Sequence, residues 1–229
     1  GIFAIGQPPT GEKDPFGLRR AALGCLRILI ECELNLDLEQ CLHTAAQNFP
    51  PALKANDATP AVFEFMLERL RRYYLDQDTR PDVFEAVLAR RPTRPLDFHR
   101  RLRAVTEFSR RPEAASLAAA NKRIRNILRQ AGAATHAAVD LRLLQEVAEK
   151  DLASAVQRAE QQVRPLLERD DYMAALSTLA GLRTVVDAFF DQVLVMSEDE
   201  AVRRNRLALL RQLSDLFLHS ADISCLQQG

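Results

Sequence analysis

The sequence has 229 residues, equal numbers of basic and acidic side chains (31 of each) and a hydrophobic content of 47%. This length suffices for one large domain or two small ones, and the composition is that of an ordinary globular protein, which excludes a largely disordered chain. No apolar stretch approaches the roughly 20 residues of a membrane-spanning helix, and no segment resembles a secretory or transit peptide. We therefore expect a cytoplasmic protein without a membrane partner.

The spacing of apolar residues predicts helices along the whole chain, because no segment sustains the alternation of a half-buried strand. The predicted fold class is all-α, a helical bundle with a small N-terminal helical segment. The chain starts with Gly1 in a turn-rich stretch, and we expect it to be a piece of a longer polypeptide.

The N-terminal part contains two predicted helices and a linker. Asp14 followed by Pro15 is typical of an N-cap and the first helical position, and a second helix is predicted from Asp37 to Gln47. The segment 48–60 contains three prolines and is predicted to be a linker. We accordingly expect one domain to end within residues 1–56 and a second domain to occupy residues 57–229.

The middle of the chain is predicted to be helical around one rigid loop. A helix is predicted to begin at Thr59–Pro60, and a short helix to run from Pro81 to Arg90. The two prolines of Arg91–Pro95 predict a stiffened loop. The next helix buries an apolar face that consists of Phe98, Leu102, Val105 and Phe108. Another helix is predicted from Pro112 to Ala131.

Three helices are predicted in the remainder. The first runs from about Leu143 to Glu168, and the second is a central buried helix from Asp171 to Val193. The third begins at Ser197, where Ser197 and Glu200 have the spacing of a capping box. Its predicted inward residues are Leu209, Leu213 and Leu216, and its arginines at 203, 204, 206 and 211 are predicted to lie elsewhere.

Charge is segregated although the net charge is zero. Residues 90–129 contain twelve basic side chains against three acidic ones, a balance of +9, whereas residues 140–201 contain six against thirteen, a balance of −7. Arginine and lysine on helix faces can neutralise phosphates, and arginine can also stack on unpaired bases, so the basic stretch predicts RNA binding. The alternative is that these side chains are solvated and paired with the acidic half.

No catalytic or metal-binding pattern is recognisable in the sequence. The four histidines, His43, His99, His136 and His219, are far apart, and we interpret each as a surface or packed residue. The four cysteines lack metal-ligand spacing and are interpreted as small core residues of a reducing compartment: Cys25, Cys32, Cys41 and Cys225. We predict no catalytic residue, no metal site and no DNA partner.

Several motifs resemble the β subunit of the bacterial tetrameric glycyl-tRNA synthetase. In chain order they are Pro9-Thr10-Gly11, Asp14-Pro15-Phe16, Leu18-Arg19-Arg20-Ala21-Ala22-Leu23-Gly24, Asp82-Val83, Ala86-Val87-Leu88, Arg91-Pro92-Thr93-Arg94-Pro95-Leu96-Asp97-Phe98, Asn121-Lys122-Arg123-Ile124, Asn126-Ile127-Leu128, Val186-Asp187-Ala188-Phe189-Phe190-Asp191, Asp199-Glu200-Ala201, Arg203 and Asn205-Arg206-Leu207. The resemblance covers essentially the whole chain. One departure is Thr184-Val185, where the family pattern favours a proline-containing run.

The resemblance implies the C-terminal third of that subunit. Residues 1–56 would end a helical domain of degenerate HD type, and residues 57–229 would form a DALR-like anticodon-binding domain. It further implies a ligase that joins glycine to tRNA-Gly with ATP and Mg²⁺ used at a separate α subunit, so that this chain holds no cofactor. The implied partners are tRNA-Gly, the α subunit and the rest of β, in an α2β2 assembly.

Within the basic stretch we predict an RNA-facing surface for the anticodon arm. Its predicted members are Arg91, Arg94, Arg100, Arg103, Asn121, Lys122, Arg123, Arg125 and Asn126. Arginines would contact phosphates, and asparagine or arginine would read unpaired base edges. A role inside the bundle is an equal alternative for Arg203, Asn205 and Arg206. The alternative for the whole chain is a helical protein-interaction module that docks within the synthetase without reading the anticodon.

Overall fold

The fold is helical throughout the part of the chain that the computed structural model describes, residues 1–11, 13–132 and 138–227, with ten α-helices and no β-strand there. This confirms the predicted all-α class. The helices are α1 (Leu18–Glu31), α2 (Leu38–Ala46), α3 (Thr59–Leu75), α4 (Pro81–Leu88), α5 (Pro95–Ser109), α6 (Pro112–Gln130), α7 (Val147–Leu167), α8 (Tyr172–Ala180), α9 (Arg183–Gln192) and α10 (Glu200–Leu218).

The chain forms two compact units. The first comprises residues 1–84 and 91–99, and the second comprises residues 85–90 and 100–229. The predicted division after residue 56 falls inside the first unit, because α3 packs against both α1 and α2. The predicted linker 48–60 likewise lies within this unit, where it forms two short 3-10 turns, Pro51–Leu53 and Ala55–Ala58.

The first unit is built on one face of α3. Phe63, Met66 and Leu70 recur at helical spacing and are buried. Tyr74 is also buried, and its hydroxyl lies 2.8 Å from Nδ1 of His99. Burial raises the pKa of the Tyr74 phenol, so the phenol stays neutral at physiological pH.

Helix α1 begins later than predicted. Its first residue is Leu18, and the residue before it, Gly17, has a left-handed backbone with φ of 64°. Asp14 nevertheless caps the helix, because its two carboxylate oxygens accept the backbone N–H groups of Leu18 and Arg19 at 2.8 and 2.9 Å. The predicted capping residue is therefore correct, whereas the predicted helix start at Pro15 is wrong.

The second unit is a bundle of α6 to α10 with part of α5. Leu102, Val105 and Phe108 of α5 are buried, as predicted, and so are the predicted inward leucines of α10. Helix α10 packs against α6, α7 and α8. It begins at Glu200 rather than Ser197, because Asp199 is the N-cap and its Oδ1 accepts the N–H groups of Ala201 and Val202.

The predicted central helix from Asp171 to Val193 is in fact two helices. Helices α8 and α9 are separated at Gly181–Leu182 and bent by 43° relative to each other. Asp171, at which the central helix is predicted to begin, is the N-cap of α8 and accepts the N–H of Ala174 at 3.0 Å. Among the described residues no single helix is long and apolar enough to cross a membrane, and only the bent pair of α8 and α9 reaches that length and composition together.

A buried ion pair joins three parts of the second unit. Glu149 and Arg206 are 0% and 5% exposed, and Arg206 Nε lies 2.8 Å from Glu149 Oε1. Arg206 Nη1 donates to the carbonyl of Leu194 at 2.7 Å, and Glu149 Oε2 accepts the backbone N–H groups of Gln145 and Glu146. Glu149 thereby completes a capping box that starts α7 at Val147, later than the predicted Leu143.

Asn205 makes a second link inside the bundle. Its amide accepts the N–H of Asp140 at 2.7 Å and donates to the same residue's carbonyl at 3.0 Å. For Asn205 and Arg206 the structure therefore favours the role inside the bundle. The prediction that Arg206 lies away from the interior is wrong.

The cysteines are not core residues. Cys25, Cys32 and Cys41 are exposed, and Cys225 is half-buried. The first three lie in the first unit, where α1 and α2 leave much of their surface uncovered. The sequence interpretation of these cysteines is thus wrong.

Candidate nucleic-acid interface

The predicted RNA-facing residues are divided between the two units. Arg91 and Arg94 belong to the first unit, and the other seven belong to the second. The predicted RNA-facing residues therefore form two groups, one within each unit.

Arg91 is already engaged within the first unit. Its Nη1 lies 2.7 Å from a carboxylate oxygen of Glu64, and its Nη2 lies 3.5 Å from one of Glu39. The guanidinium also lies over the ring of Phe63, 5.1 Å from the centroid. Two carboxylates thus balance the charge that Arg91 would offer to a phosphate.

Arg94 is exposed and acts on a neighbouring carboxylate. Burial of Asp37 tends to raise its pKa, but hydrogen bonds from the Thr93 hydroxyl and the Gln40 backbone N–H, together with the Arg94 charge, hold this pKa below its usual value. Asp37 is also the N-cap of α2. The Arg91–Pro95 loop is therefore fastened to α2 by a carboxylate that stays ionised at neutral pH.

Two predicted arginines lie on α5 in the second unit. Arg100 pairs with Asp170, with Nη1 and Oδ2 3.1 Å apart, and both side chains are about one-third exposed. Arg103 is exposed and has no hydrogen-bond or ion-pair partner among the residues that the structure describes. A partly exposed ion pair of this kind contributes at most about 1 kcal/mol.

Asn121 is not placed to read a base. It is only 4% exposed, and its Nδ2 donates to the Leu117 carbonyl one turn earlier in α6. A side chain in this position does not reach solvent. Asn121 is therefore not part of the exposed basic surface of α6.

The remaining predicted residues of α6 divide between two directions. Arg123 lies over the ring of Phe190, 4.3 Å from the centroid, and so is directed at α9. Lys122, Arg125 and Asn126 instead line a common cleft of about 590 Å³ between α6 and α10. We call it the α6–α10 cleft. Its lining includes Arg90, Lys122, Arg125, Asn126, Arg129, Arg211 and Asp222.

Three arginines of the α6–α10 cleft are absent from the predicted surface: Arg90, Arg129 and Arg211. Arg129 is seven residues after Lys122 and so lies on the same helix face, a signal that the sequence contains. Arg90 belongs to the same basic stretch. Arg211 is 82 positions beyond Arg129, and only the packing of α10 on α6 brings it to the cleft.

The first unit has a basic cleft of its own. It has a volume of about 420 Å³, lies between α1 and α3, and is lined by Arg19, Arg20, Arg69 and Arg72 among others. Glu68 lies within 3.6 Å of Arg72 and 3.9 Å of Arg69. Arg19 Nη2 donates to the Gly11 carbonyl at 2.5 Å. We call this cleft of the first unit the α1–α3 cleft.

Each histidine that the structure describes lies near a polar group of another residue. His43 Nδ1 lies 3.1 Å from the Thr59 hydroxyl, His99 contacts Tyr74, and His219 Nδ1 lies 2.6 Å from the carbonyl of Asp215 in its own helix. His136 lies outside the described residues. In the described part of the chain, no three histidine, cysteine or acidic side chains come together as metal ligands.

Comparison with known proteins gives consistent matches along the chain. Residues 1–89 match the family model described as glycyl-tRNA synthetase beta subunit, and residues 117–223 match the model of the DALR anticodon binding domain. The second match contains α7 to α10 and all of α6 from Leu117 onward, and therefore most of the α6–α10 cleft.

Curated relatives carry the name glycine–tRNA ligase beta subunit. The protein of Marinobacter nauticus is 53% identical over 227 residues, which is 99% of this chain and 33% of the relative. Those of Pseudoalteromonas translucida and Haemophilus influenzae are 51% and 52% identical over 228 and 227 residues, again 33% of each relative. The chain thus spans about a third of the length of these relatives. It belongs to the family of glycyl-tRNA synthetase beta subunits.

Proposed function

We propose that the second unit binds the anticodon arm of tRNA-Gly and thereby supports ATP-dependent glycylation of that tRNA. The observation that carries the proposal is the basic face of α6, where Lys122, Arg125, Asn126 and Arg129 follow one another at helical spacing and line one cleft. The match of this region to an anticodon-binding family supports it.

Phosphate contacts would position the RNA, and polar side chains would read it. Lysine and arginine attract phosphates at any orientation, whereas asparagine offers a donor and an acceptor to a base edge. Asn126 is exposed, and its Oδ1 accepts from Arg129 Nη2 at 3.0 Å, which orients the amide. Arg129 thus contributes a positive charge and also orients Asn126, the side chain that would read a base.

The test is a titration of the 229-residue chain with tRNA-Gly and with an anticodon variant at two salt concentrations. Release of counterions from about five neutralised phosphates lowers affinity on the order of a hundredfold between about 50 and about 200 mM salt. We expect this fall for both RNAs, and weaker binding of the anticodon variant at both concentrations. Equal affinity for the two RNAs would mean that the chain attracts RNA by charge alone and does not read the anticodon. Salt-independent binding would contradict the proposal.

A matched pair of variants locates the reading function. Asn126→Ala should lower affinity for tRNA-Gly more than for the anticodon variant, whereas Lys122→Gln should weaken both by the same factor. Asn126 and Lys122 are exposed and one turn apart on α6, so neither substitution disturbs the core. Equal effects of Asn126→Ala on the two RNAs would mean that this residue does not read the anticodon.

We further propose that the chemistry of glycylation takes place on a separate α subunit, with ATP and Mg²⁺ held there. This division of labour is what the resemblance to the tetrameric glycyl-tRNA synthetase implies. The chain alone should accordingly neither glycylate tRNA nor hydrolyse phosphate esters. Glycyl transfer by the purified chain would overturn this division of labour. We also propose that the whole synthetase is a cytoplasmic α2β2 assembly, which is a separate proposal.

A second candidate function concerns the first unit. An apolar cleft of about 560 Å³ lies among α1, α2 and α3, and Ile28 and Phe49 on its wall are 56% and 40% exposed. Exposed apolar patches of this kind are typical of interaction surfaces. We propose that the remaining part of the beta subunit, which the longer relatives contain, covers it. Co-purification of this chain with that part is the test.

A further inference from the structure

The α6–α10 cleft carries a large excess of positive charge. Among the described residues that line it, five are cations, Arg90, Lys122, Arg125, Arg129 and Arg211, and one is a carboxylate, Asp222. All belong to the second unit. Three of the cations come from one face of α6, one from α10 and one from the segment after α4, so the fold brings together charges from three parts of the chain.

The one carboxylate is already used. Asp222 is buried, and it pairs with Arg125 and accepts the hydroxyl of Ser224 at 2.6 Å. Arg125 Nη1 also donates to this hydroxyl at 3.0 Å. Asp222 therefore fixes Arg125 at the edge of the cleft. It balances only one of the five positive charges of the cleft.

Three of the cations are available to a ligand. Within the described part of the chain, Arg90, Lys122 and Arg211 have no hydrogen-bond or ion-pair partner. Of these three, Arg211 alone has a buried Nε without an acceptor among the described residues, a property that it shares with Arg69 of the first unit. A buried N–H without an acceptor destabilises a protein, and such groups in native structures point to a missing water, ion or ligand.

The dimensions favour a chain of phosphates over a single one. Lys122 and Arg129 are seven residues apart on α6, which corresponds to roughly 10 Å along the helix axis. Cations spread over this length can contact successive phosphates of a strand, and the planar guanidinium of Arg211 can hold phosphate oxygens with two N–H groups at once. A single small anion would leave part of the row unoccupied.

We propose that the α6–α10 cleft binds the phosphodiester backbone of RNA, with Arg211, Lys122 and Arg90 as its phosphate ligands. This rests on the proposed function, since it names the place on the second unit where the strand is gripped. Arg211 is then a specific RNA ligand that is far from the basic stretch of the sequence. Free inorganic phosphate has the same chemistry, and the test separates the two sources.

The experiment measures tRNA-Gly binding by Arg211→Gln and by the double variant Arg90→Gln with Lys122→Gln. The control is Arg158→Gln, which removes the same charge from an exposed position of α7, where Arg158 donates to Ser154. We expect Arg211→Gln to lower affinity about tenfold, since it removes a hydrogen bond to a charged group. The slope of log K against log salt should fall by about 0.7 for each phosphate that is no longer neutralised. Arg158→Gln should change affinity less than twofold.

Thermal unfolding shows whether each variant is folded. Arg211→Gln removes a buried donor without an acceptor, so its melting temperature should be equal to or above that of the unchanged chain. If Arg211→Gln fails to fold, the double variant decides the question, because Arg90 and Lys122 are exposed. Its affinity for tRNA-Gly should fall at least tenfold, because two of the proposed phosphate ligands are removed.

The outcomes are distinct. If the unchanged chain binds tRNA-Gly with a steep salt dependence but the cleft variants bind it equally well, the cleft assignment is overturned and the proposed function stands. If the unchanged chain does not bind tRNA, the proposed function itself fails. Inorganic phosphate at millimolar concentration is the second probe. If it raises the melting temperature of the unchanged chain but not of Arg211→Gln, while tRNA binding is insensitive to Arg211→Gln, the cleft holds a small anion and the RNA assignment is wrong.

Discussion

The α1–α3 cleft and the α6–α10 cleft are both lined by several arginines, yet they differ in how much of that charge is balanced. In the α1–α3 cleft Glu68 lies close to Arg69 and Arg72, and Arg19 is bonded to a backbone carbonyl. In the α6–α10 cleft the one acidic side chain is buried and paired with Arg125, and Arg90, Lys122 and Arg211 lack partners among the described residues.

The difference shows that a count of basic residues does not by itself identify an RNA-binding surface. Arg91 and Lys122 both belong to the basic stretch of residues 90–129, but the former has two carboxylates within 3.5 Å. A phosphate would have to displace these carboxylates from Arg91, whereas at Lys122 it would replace only water.

The largest effect is expected from removing the buried ion pair that supports the second unit. Glu149→Ala leaves Arg206 buried without its carboxylate, and the loss of one partner of a buried pair costs about 3–5 kcal/mol. Chemical denaturation should show this loss, and the tRNA affinity of the chain should fall with it. The α1–α3 cleft, which contains neither residue, should keep its structure.

Two variants control this prediction. Glu168→Ala changes an exposed acidic residue near the end of α7 and should alter stability by less than about 0.5 kcal/mol. The double variant Glu149→Met with Arg206→Met replaces both charges by apolar side chains and should recover most of the stability. A double variant as unstable as Glu149→Ala would mean that packing, and not the unpaired charge, causes the loss.

The same ion pair predicts a pH dependence. Burial tends to raise the pKa of Glu149, but the Arg206 hydrogen bonds and charge and the N–H groups of residues 145 and 146 hold it below the ordinary value of 4.5. Because the folded-state pKa is lower than the unfolded one, the stabilisation is complete above about pH 4.5 and is lost as pH falls through the folded-state value. The free energy of unfolding of the double variant Glu149→Met with Arg206→Met should not show this loss below pH 4.5. If the double variant loses stability at acidic pH as the unchanged chain does, Glu149 is not the source of that loss.

A smaller effect is expected at the apolar cleft of the first unit. Ile28→Ser with Phe49→Ser removes two partly exposed apolar side chains, so the free energy of unfolding should change little. Association with the remaining part of the beta subunit should weaken about tenfold or more, because these groups are no longer there to be buried. Affinity for tRNA-Gly should be unaffected. A fall in tRNA affinity would show that the two candidate functions share this surface.

The sequence predicts the helices well because apolar periodicity and capping residues are local signals. Asp14 is recognisable as a capping residue, and helices are predicted to begin at Asp37 and Asp171. All three side chains accept backbone N–H groups in the structure. Helix starts are less certain, since Asp199 and Ser197 are both capping residue types only two positions apart. The break at Gly181 is missed because the apolar positions continue through it.

The candidate site is only partly predictable from the sequence. Whether its cations are available to a ligand depends on contacts between residues that are distant in sequence. The spacing of Lys122, Arg125 and Arg129 is visible along α6. The pairing of Arg100 with Asp170, 70 residues away, and the approach of Arg211 to α6 are products of tertiary packing. Neither charge counts nor periodicity contains that information.

The smallest effect is expected from cations that already have partners. Arg91→Gln and Arg72→Gln remove charges that Glu64 and Glu68 balance, so each should lower affinity for tRNA-Gly less than about twofold and change the salt slope by much less than 0.7. Lys122→Gln, which removes the same charge from a side chain without a partner, is the matched comparison and should change the slope by about 0.7. If Arg91→Gln or Arg72→Gln weakens binding as strongly as Lys122→Gln, the first unit also grips RNA, and local pairing does not decide which arginines do so.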